Sequence, residues 1–228
     1  MLVCLDFDGC LVDSRAAIAT AVNHALTAHG LVPQRHEDLQ HCIGPPLMGS
    51  FARLLVDQGA DPAGAVQCVG VYRDVYPALA LELTTVVDGV PQALDALAHQ
   101  ATLVVVTSKP AAFTEPLLDA LGLRDFFAQT FAPGLAALHE TKTETLSRAL
   151  EQFAPNAAVM VGDRCHDIVA GRSCDVPTIG VTWGIGSPDE LRRAGADVLI
   201  DDPGDLPAVI LTSQGGTHAS RETGKRRR

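Results

Sequence analysis

From Asp88-Gly89 onward the chain alternates short, continuously apolar runs with helical patterns, and this alternation restricts the fold more than any other feature. Residues 102–106, 127–131, 157–161, 178–181 and 197–200 read as strands, and Leu2 to Leu5 adds one at the start. Helical patterns fall at 91–100, with Pro91 in the first turn, at 113–121, ended by Gly122, at 141–153 and at 190–194. Pro116 is expected to be tolerable only near the start of its helix. Strands apolar on both faces, separated by helices, predict an α/β fold: a Rossmann-like three-layer core with a parallel sheet.

Residues 15–79 break the alternation and look helical throughout, at 16–29, 37–42, 47–58 and 62–76. The corners Gly44-Pro45-Pro46 and Gly59-Ala60-Asp61-Pro62 punctuate them. The expected organisation is a discontinuous core, 1–14 and 80–212, with 15–79 as a small inserted α-helical cap and 213–228 as a disordered basic tail. High apolar content (47%) with few aromatics (4%) suits helices packed on a Val/Leu/Ile-rich sheet.

A net charge of −10 disfavours nucleic acid as a partner of the core, and the Lys225-Arg226-Arg227-Arg228 run reads as a solvated end. The six cysteines are scattered, without a Cys-x-x-Cys pair or zinc-ligand spacing. There is neither a basic leader with an apolar signal core nor an uncharged run of membrane-spanning length. The expectation is a soluble protein of a reducing compartment, the cytoplasm, with no membrane partner; oligomeric state is not readable.

Function is legible where strands end. The first strand ends in Asp6-Phe7-Asp8-Gly9, with Asp13-Ser14 placed to cap the helix that follows. The strand at 102–106 ends in Thr107-Ser108-Lys109, and the strand at 157–161 in Gly162-Asp163-Arg164-Cys165-His166-Asp167. In an open parallel sheet ligands bind beyond the carboxyl ends of the strands. Three strands therefore deliver polar or charged groups to one edge. Paired hard carboxylates suit Mg²⁺, a carboxylate can attack phosphorus, and a second acid can protonate the leaving oxygen. A hydroxyl and a lysine neutralise the phosphoryl oxygens, so the set points to phosphoryl transfer.

Asp6-x-Asp8-Gly9, Thr107-Ser108-Lys109-Pro110, Lys142 and Gly162-Asp163-x-x-x-Asp167 together resemble, in order and spacing, the four motifs of the haloacid dehalogenase superfamily of phosphatases. Ile43-Gly44-Pro45-Pro46-Leu47 and 179–186 are similar to its phosphoglycolate phosphatase and 5′-nucleotidase-like branch. The resemblance implies Asp6 as nucleophile and Asp8 as general acid/base, its main-chain carbonyl also binding metal. It implies Thr107 and Ser108 on the phosphoryl group and Lys142 orienting the nucleophile. Asp163 would ligate Mg²⁺ with Asp167 as ligand or anchor, while Gly9 and Gly44 border the substrate. Lys109 either faces the phosphate or pairs with a loop acid.

The resemblance also implies a helical cap that closes over a small-molecule phosphate ester. Cys10 stands where the family has Thr, and Asp175 where relatives have Gly, at a turn whose left-handed geometry Asp accepts. Cys10 and Cys165 are candidates for an oxidation-sensitive pair; His166 and Trp183 read as structural. Two alternatives stay open: a phosphosugar mutase, and a non-catalytic phosphate-binding regulatory module.

Overall fold

The computed structural model describes residues 1–136 and 140–212; the expected basic tail lies outside the described residues. β1 (Leu2–Leu5) leads through a tight loop to β2 (Val12–Asp13). A helical block follows: α1 (Arg15–Ala28), α2 (Leu47–Asp57) and α3 (Ala65–Leu83), with 3₁₀ turns at His36–Cys42 and Pro62–Gly64. β3 (Thr85–Val86) returns antiparallel to β2, pairing Val12 with Val86 and Asp13 with Thr85. The rest alternates α4 (Val90–Ala98), β4 (Thr102–Val106), α5 (Ala111–Ala120), β5 (Gln129–Phe131), α6 (Lys142–Phe153) and β6 (Ala158–Gly162). It ends with α7 (Cys165–Ser173), β7 (Thr178–Val181), α8 (Pro188–Ala194), β8 (Val198–Ile200) and α9 (Leu206–Thr212).

Six strands form one sheet in the order β5-β4-β1-β6-β7-β8, parallel throughout. β1 is central: Leu5 pairs with Val105 on one side and Val161 on the other. The chain winds outward to β5 and crosses back to β6, so the switch in strand order falls at the carboxyl end of β1. Strand periodicity of two sorts the side chains. Val3, Leu5, Leu103, Val105 and Val161 join one apolar cluster, which runs on through Phe51, Leu54, Tyr72 and Tyr76 of the helical block. Leu2, Cys4, Val104, Val106 and Met160 join a second, covered by Leu146 and Ala149 of α6 and Ala170 of α7. Helices on both faces make the three-layer α/β core.

Several local expectations need correction. Ser14 precedes α1, but its hydroxyl is buried and makes no capping bond; Asp13 instead accepts from the Arg15 amide and guanidinium. Pro116 lies in the interior of α5 and Pro77 in that of α3, which continues to Leu83. Each ring removes one amide donor, yet burial of Leu117 and Leu118, and of Tyr76 and Ala80, holds the helices together. Asp175 does take the left-handed turn, at φ 56°.

Candidate active site

The carboxyl ends of β1 and β6 bring Asp6, Asp163 and Asp167 together, all buried, with ligand oxygens within 4.8 Å of one another. Lys142, the first residue of α6, reaches in between: its Nζ lies 2.5 Å from Asp6 Oδ1 and 2.8 Å from Asp167 Oδ1. α6 begins there because Thr141 and Glu144 form a reciprocal capping box, which fixes the lysine at the helix mouth. Asp167 Oδ2 accepts from the Arg164 amide at the start of α7, and Asp163 Oδ2 from the Ile185 amide at 2.7 Å.

The loops around the acids have no room for side chains. Gly9 sits at φ 83°, and a Cβ there would strike the Asp163 carboxylate; one at Gly184 would strike the same group from the other side. Trp183 donates its indole N–H to the Cys10 carbonyl at 3.0 Å and so braces the loop that follows Asp6. The Cys10 thiol faces the Val161 carbonyl at 4.0 Å, a weak contact where a hydroxyl would make a strong one.

Three buried carboxylates surround a single ammonium that touches only Asp6 and Asp167, and electrostatics follow from that imbalance. Burial, then repulsion from Asp167 and Asp6, pushes Asp163 up to about 8. Burial also lifts Asp6, to about 6, against the pull of Lys142. Burial alone would lower Lys142, but Asp167 and Asp6 overcome it and hold the ammonium charged. The donor set fits a hard divalent cation. Asp163 Oδ1 is buried without a hydrogen-bond partner, and Asp6 Oδ1 and Asp167 Oδ1 face only the ammonium. All-oxygen ligation by carboxylates is what Mg²⁺ takes.

Asp8 is not in this cluster. Its carboxylate points to Lys109, whose Nζ donates to both oxygens at 3.0 and 3.1 Å. Of the two expectations for Lys109, the structure has the ion pair with a loop acid. Thr107 is buried, its hydroxyl accepting from the Lys109 amide at 3.1 Å, and Ser108 is half-buried at the cleft wall. These groups open on a cleft of about 910 Å³ roofed by the helical block, with Tyr72, Met48, Phe113 and Arg73 among its lining.

Gly44, at φ 100°, forms the roof's corner above Arg164 and His166. Arg164 joins roof to core: Nη1 donates to the Ile43 carbonyl at 2.5 Å and Nε to Glu190 Oε1 at 2.9 Å. Glu190 also accepts from the Cys165 amide. Sequence reasoning passed over Glu190, since nothing local marks a helix-capping segment of α8 as the support of a loop 25 residues upstream. Cys10 and Cys165 are both free, and burial raises both thiols, Cys10 well above its usual range. A raised thiol disfavours the thiolate that oxidation needs.

Comparison with known proteins gives a consistent picture. The family model of haloacid dehalogenase-like hydrolases matches residues 3–181. A 5′-nucleotidase of Pseudomonas aeruginosa is 34% identical over 193 residues, covering 83% of this chain and 86% of its own. A phosphoglycolate phosphatase of Agrobacterium fabrum is 31% identical over 231 residues, covering 96% and 97%. Among solved structures, a predicted phosphatase from Clostridium acetobutylicum superposes with a TM-score of 0.85 at 31% identity, covering 92% of this chain and 98% of that one.

Proposed function

This chain belongs to the haloacid dehalogenase-like hydrolase family and is a phosphatase within it, and we propose that it hydrolyses small phosphomonoesters through an aspartyl-phosphate on Asp6. The observation that carries this reading is the buried Asp6-Lys142-Asp167-Asp163 knot at the switch point, opening on a roofed cleft beside Asp8. A structural salt bridge would not need three acids around one lysine, since each uncompensated buried carboxylate costs several kcal/mol.

Asp6 is the nucleophile. Its oxygen bonds to phosphorus as the ester oxygen leaves, and Asp8 gives that oxygen a proton. Asp8 then takes a proton from a water that attacks the phosphorus, inorganic phosphate departs and Asp6 is regenerated. Lys142 holds the Asp6 carboxylate in place throughout and screens it from Asp167. The Thr107 and Ser108 hydroxyls donate to the equatorial phosphoryl oxygens, where charge redistributes in the transition state. Asp6, Asp163 and Asp167, with the main-chain carbonyl of Asp8, would hold Mg²⁺, which supplies positive charge to the phosphoryl oxygens.

The roof over the cleft excludes water from the site when a substrate is held. Gly44 at its corner and Lys109 at its floor border the leaving group. A volume of about 910 Å³ admits a nucleoside monophosphate or a sugar phosphate as well as phosphoglycolate.

The test is phosphate release from a panel of phosphomonoesters, with Mg²⁺ or with EDTA, by wild type and Asp6→Asn. Metal-dependent turnover that the variant lacks is the expected result. A folded, Mg²⁺-loaded protein that releases phosphate from none of them would refute the reading; isomerised product without free phosphate would identify a mutase.

A further inference from the structure

Lys109 has a second partner besides Asp8. Its ammonium donates to the hydroxyl of Tyr76, which comes from α3 of the helical roof, and lies 4.6 Å from the centroid of the same ring. Phe7, between the two loop acids, offers its ring to the ammonium from below at 5.9 Å. Lys109 is 7% and Tyr76 1% exposed, so the roof and the floor of the cleft meet at a buried ammonium. Tyr76 is itself held: it stacks on Tyr72 at 4.9 Å and 12°, and meets Phe113 edge-on at 5.3 Å. The backbone of Lys109 is fixed too, by its amide to Thr107 Oγ1 and its carbonyl to the Thr114 hydroxyl.

A lysine stem has four rotatable bonds, and an ammonium on such a stem needs more than one anchor to fix its direction. Asp8 supplies one anchor and Tyr76 the other. Each partner of Lys109 is therefore placed through the lysine by the other partner.

Resting on the assignment of Asp8 as general acid/base, we propose that Tyr76 is a positioning residue for catalysis. Through Lys109 it sets where the Asp8 carboxyl stands, so that the roof helix contributes to proton transfer without touching the reacting atoms. Proton donation requires heavy atoms within hydrogen-bond reach of the leaving oxygen, so small displacements of Asp8 are costly.

The experiment compares kcat/KM for two Mg²⁺-dependent substrates, an alkyl phosphate and 2,4-dinitrophenyl phosphate, in wild type, Tyr76→Phe, Asp8→Asn and the double variant. The first substrate needs a proton on its leaving oxygen and the second does not. Phe keeps the ring stack and removes only the hydroxyl. Tyr76→Phe is expected to lose about tenfold on the alkyl ester and less than about twofold on the aryl ester, a part of the ~10²-fold or greater loss from removing the acid itself. In the double variant the Tyr76→Phe penalty should vanish, because both changes act on one group.

Lys109→Arg should retain more alkyl-ester activity than Lys109→Met. Equal losses on both esters, or penalties that add in the double variant, would overturn the proposal. The Asp8→Asn arm stands apart: if that variant loses equally on both esters, the assignment of Asp8 as acid fails, and the cycle still reads the coupling of Tyr76 to Asp8.

Discussion

Stability with and without Mg²⁺ should diverge as pH rises, and the size of the divergence can be worked out from the buried acids. Asp163 is pushed up to about 8 from its ordinary 3.8, and Asp6 to about 6. A carboxyl that holds its proton more tightly folded than unfolded contributes stability at low pH and loses it as pH rises through the window between the two values. Each such proton costs about 1.4 kcal/mol for every pH unit in that window. Between pH 6 and 8 Asp163 remains in its window while Asp6 has largely left it. The metal-free protein should therefore lose about 2–3 kcal/mol from this site.

A saturating cation removes the loss, because the carboxylates it binds are already deprotonated. The rest of the molecule titrates alike with or without metal, so the difference isolates the site. Thermal unfolding at pH 6, 7 and 8, in Mg²⁺ or EDTA, should show the metal-induced rise in Tm growing by roughly 5–10 °C across the range for a chain of this size. Asp163→Asn should flatten the dependence. A Mg²⁺ effect of constant size, or a metal-free protein more stable at pH 8 than at pH 6 relative to the loaded one, would refute the electrostatic reasoning.

Three further outcomes follow from the same geometry. Lys142→Met strands Asp6 and Asp167 without a cation and should destabilise the metal-free protein by about 3–5 kcal/mol, a deficit that Mg²⁺ partly restores in denaturant titrations. Gly9→Ala places a Cβ against the Asp163 carboxylate at a left-handed φ, so Mg²⁺-dependent stabilisation should fall and stability drop by about 1–3 kcal/mol, read by the same melts. Cys10 should resist maleimide at pH 8 in the folded protein while Cys165 or Cys174 labels first, as mass spectrometry of the digested protein would report.

The features readable from sequence were those with a local cause. The buried strands announced themselves as apolar runs, and the acids at their ends stood out because water cannot reach them there. Other features arise only from contact between distant segments. β2 and β3 have two residues each and exist because they pair with one another, so neither carries a periodic signal. α7 carries no clear stripe because the charged Asp167 lies on its buried face, with Ile168, Ala170 and Gly171, while the apolar Val169 lies on the exposed one.

Lys109 could be narrowed to two partners but not assigned, since its ion pair joins residues 101 positions apart. The helical pattern at 62–76 stops before Pro77, and Pro116 is expected only near a helix start, yet packing of their neighbours carries both helices through the rings. The carboxylates at the strand ends are thus legible from chemistry, whereas the groups that brace the loops around them, Glu190 and Ile185, and Tyr76 on Lys109, need the fold.

The two-stranded ribbon at the base of the helical block has a consequence for how such a protein can change. Entry to the block at Asp13 and exit from it at Thr85 lie side by side, so everything between them closes on itself. Closure entropy rises only slowly with the length of a loop whose ends are already joined. Insertions, deletions or a different arrangement of helices there would leave the register of the six-stranded sheet, and with it the knot of acids, where they are. The helical block and the buried acids are therefore free to vary separately along one chain, provided that whatever replaces α3 still brings a hydroxyl down onto Lys109.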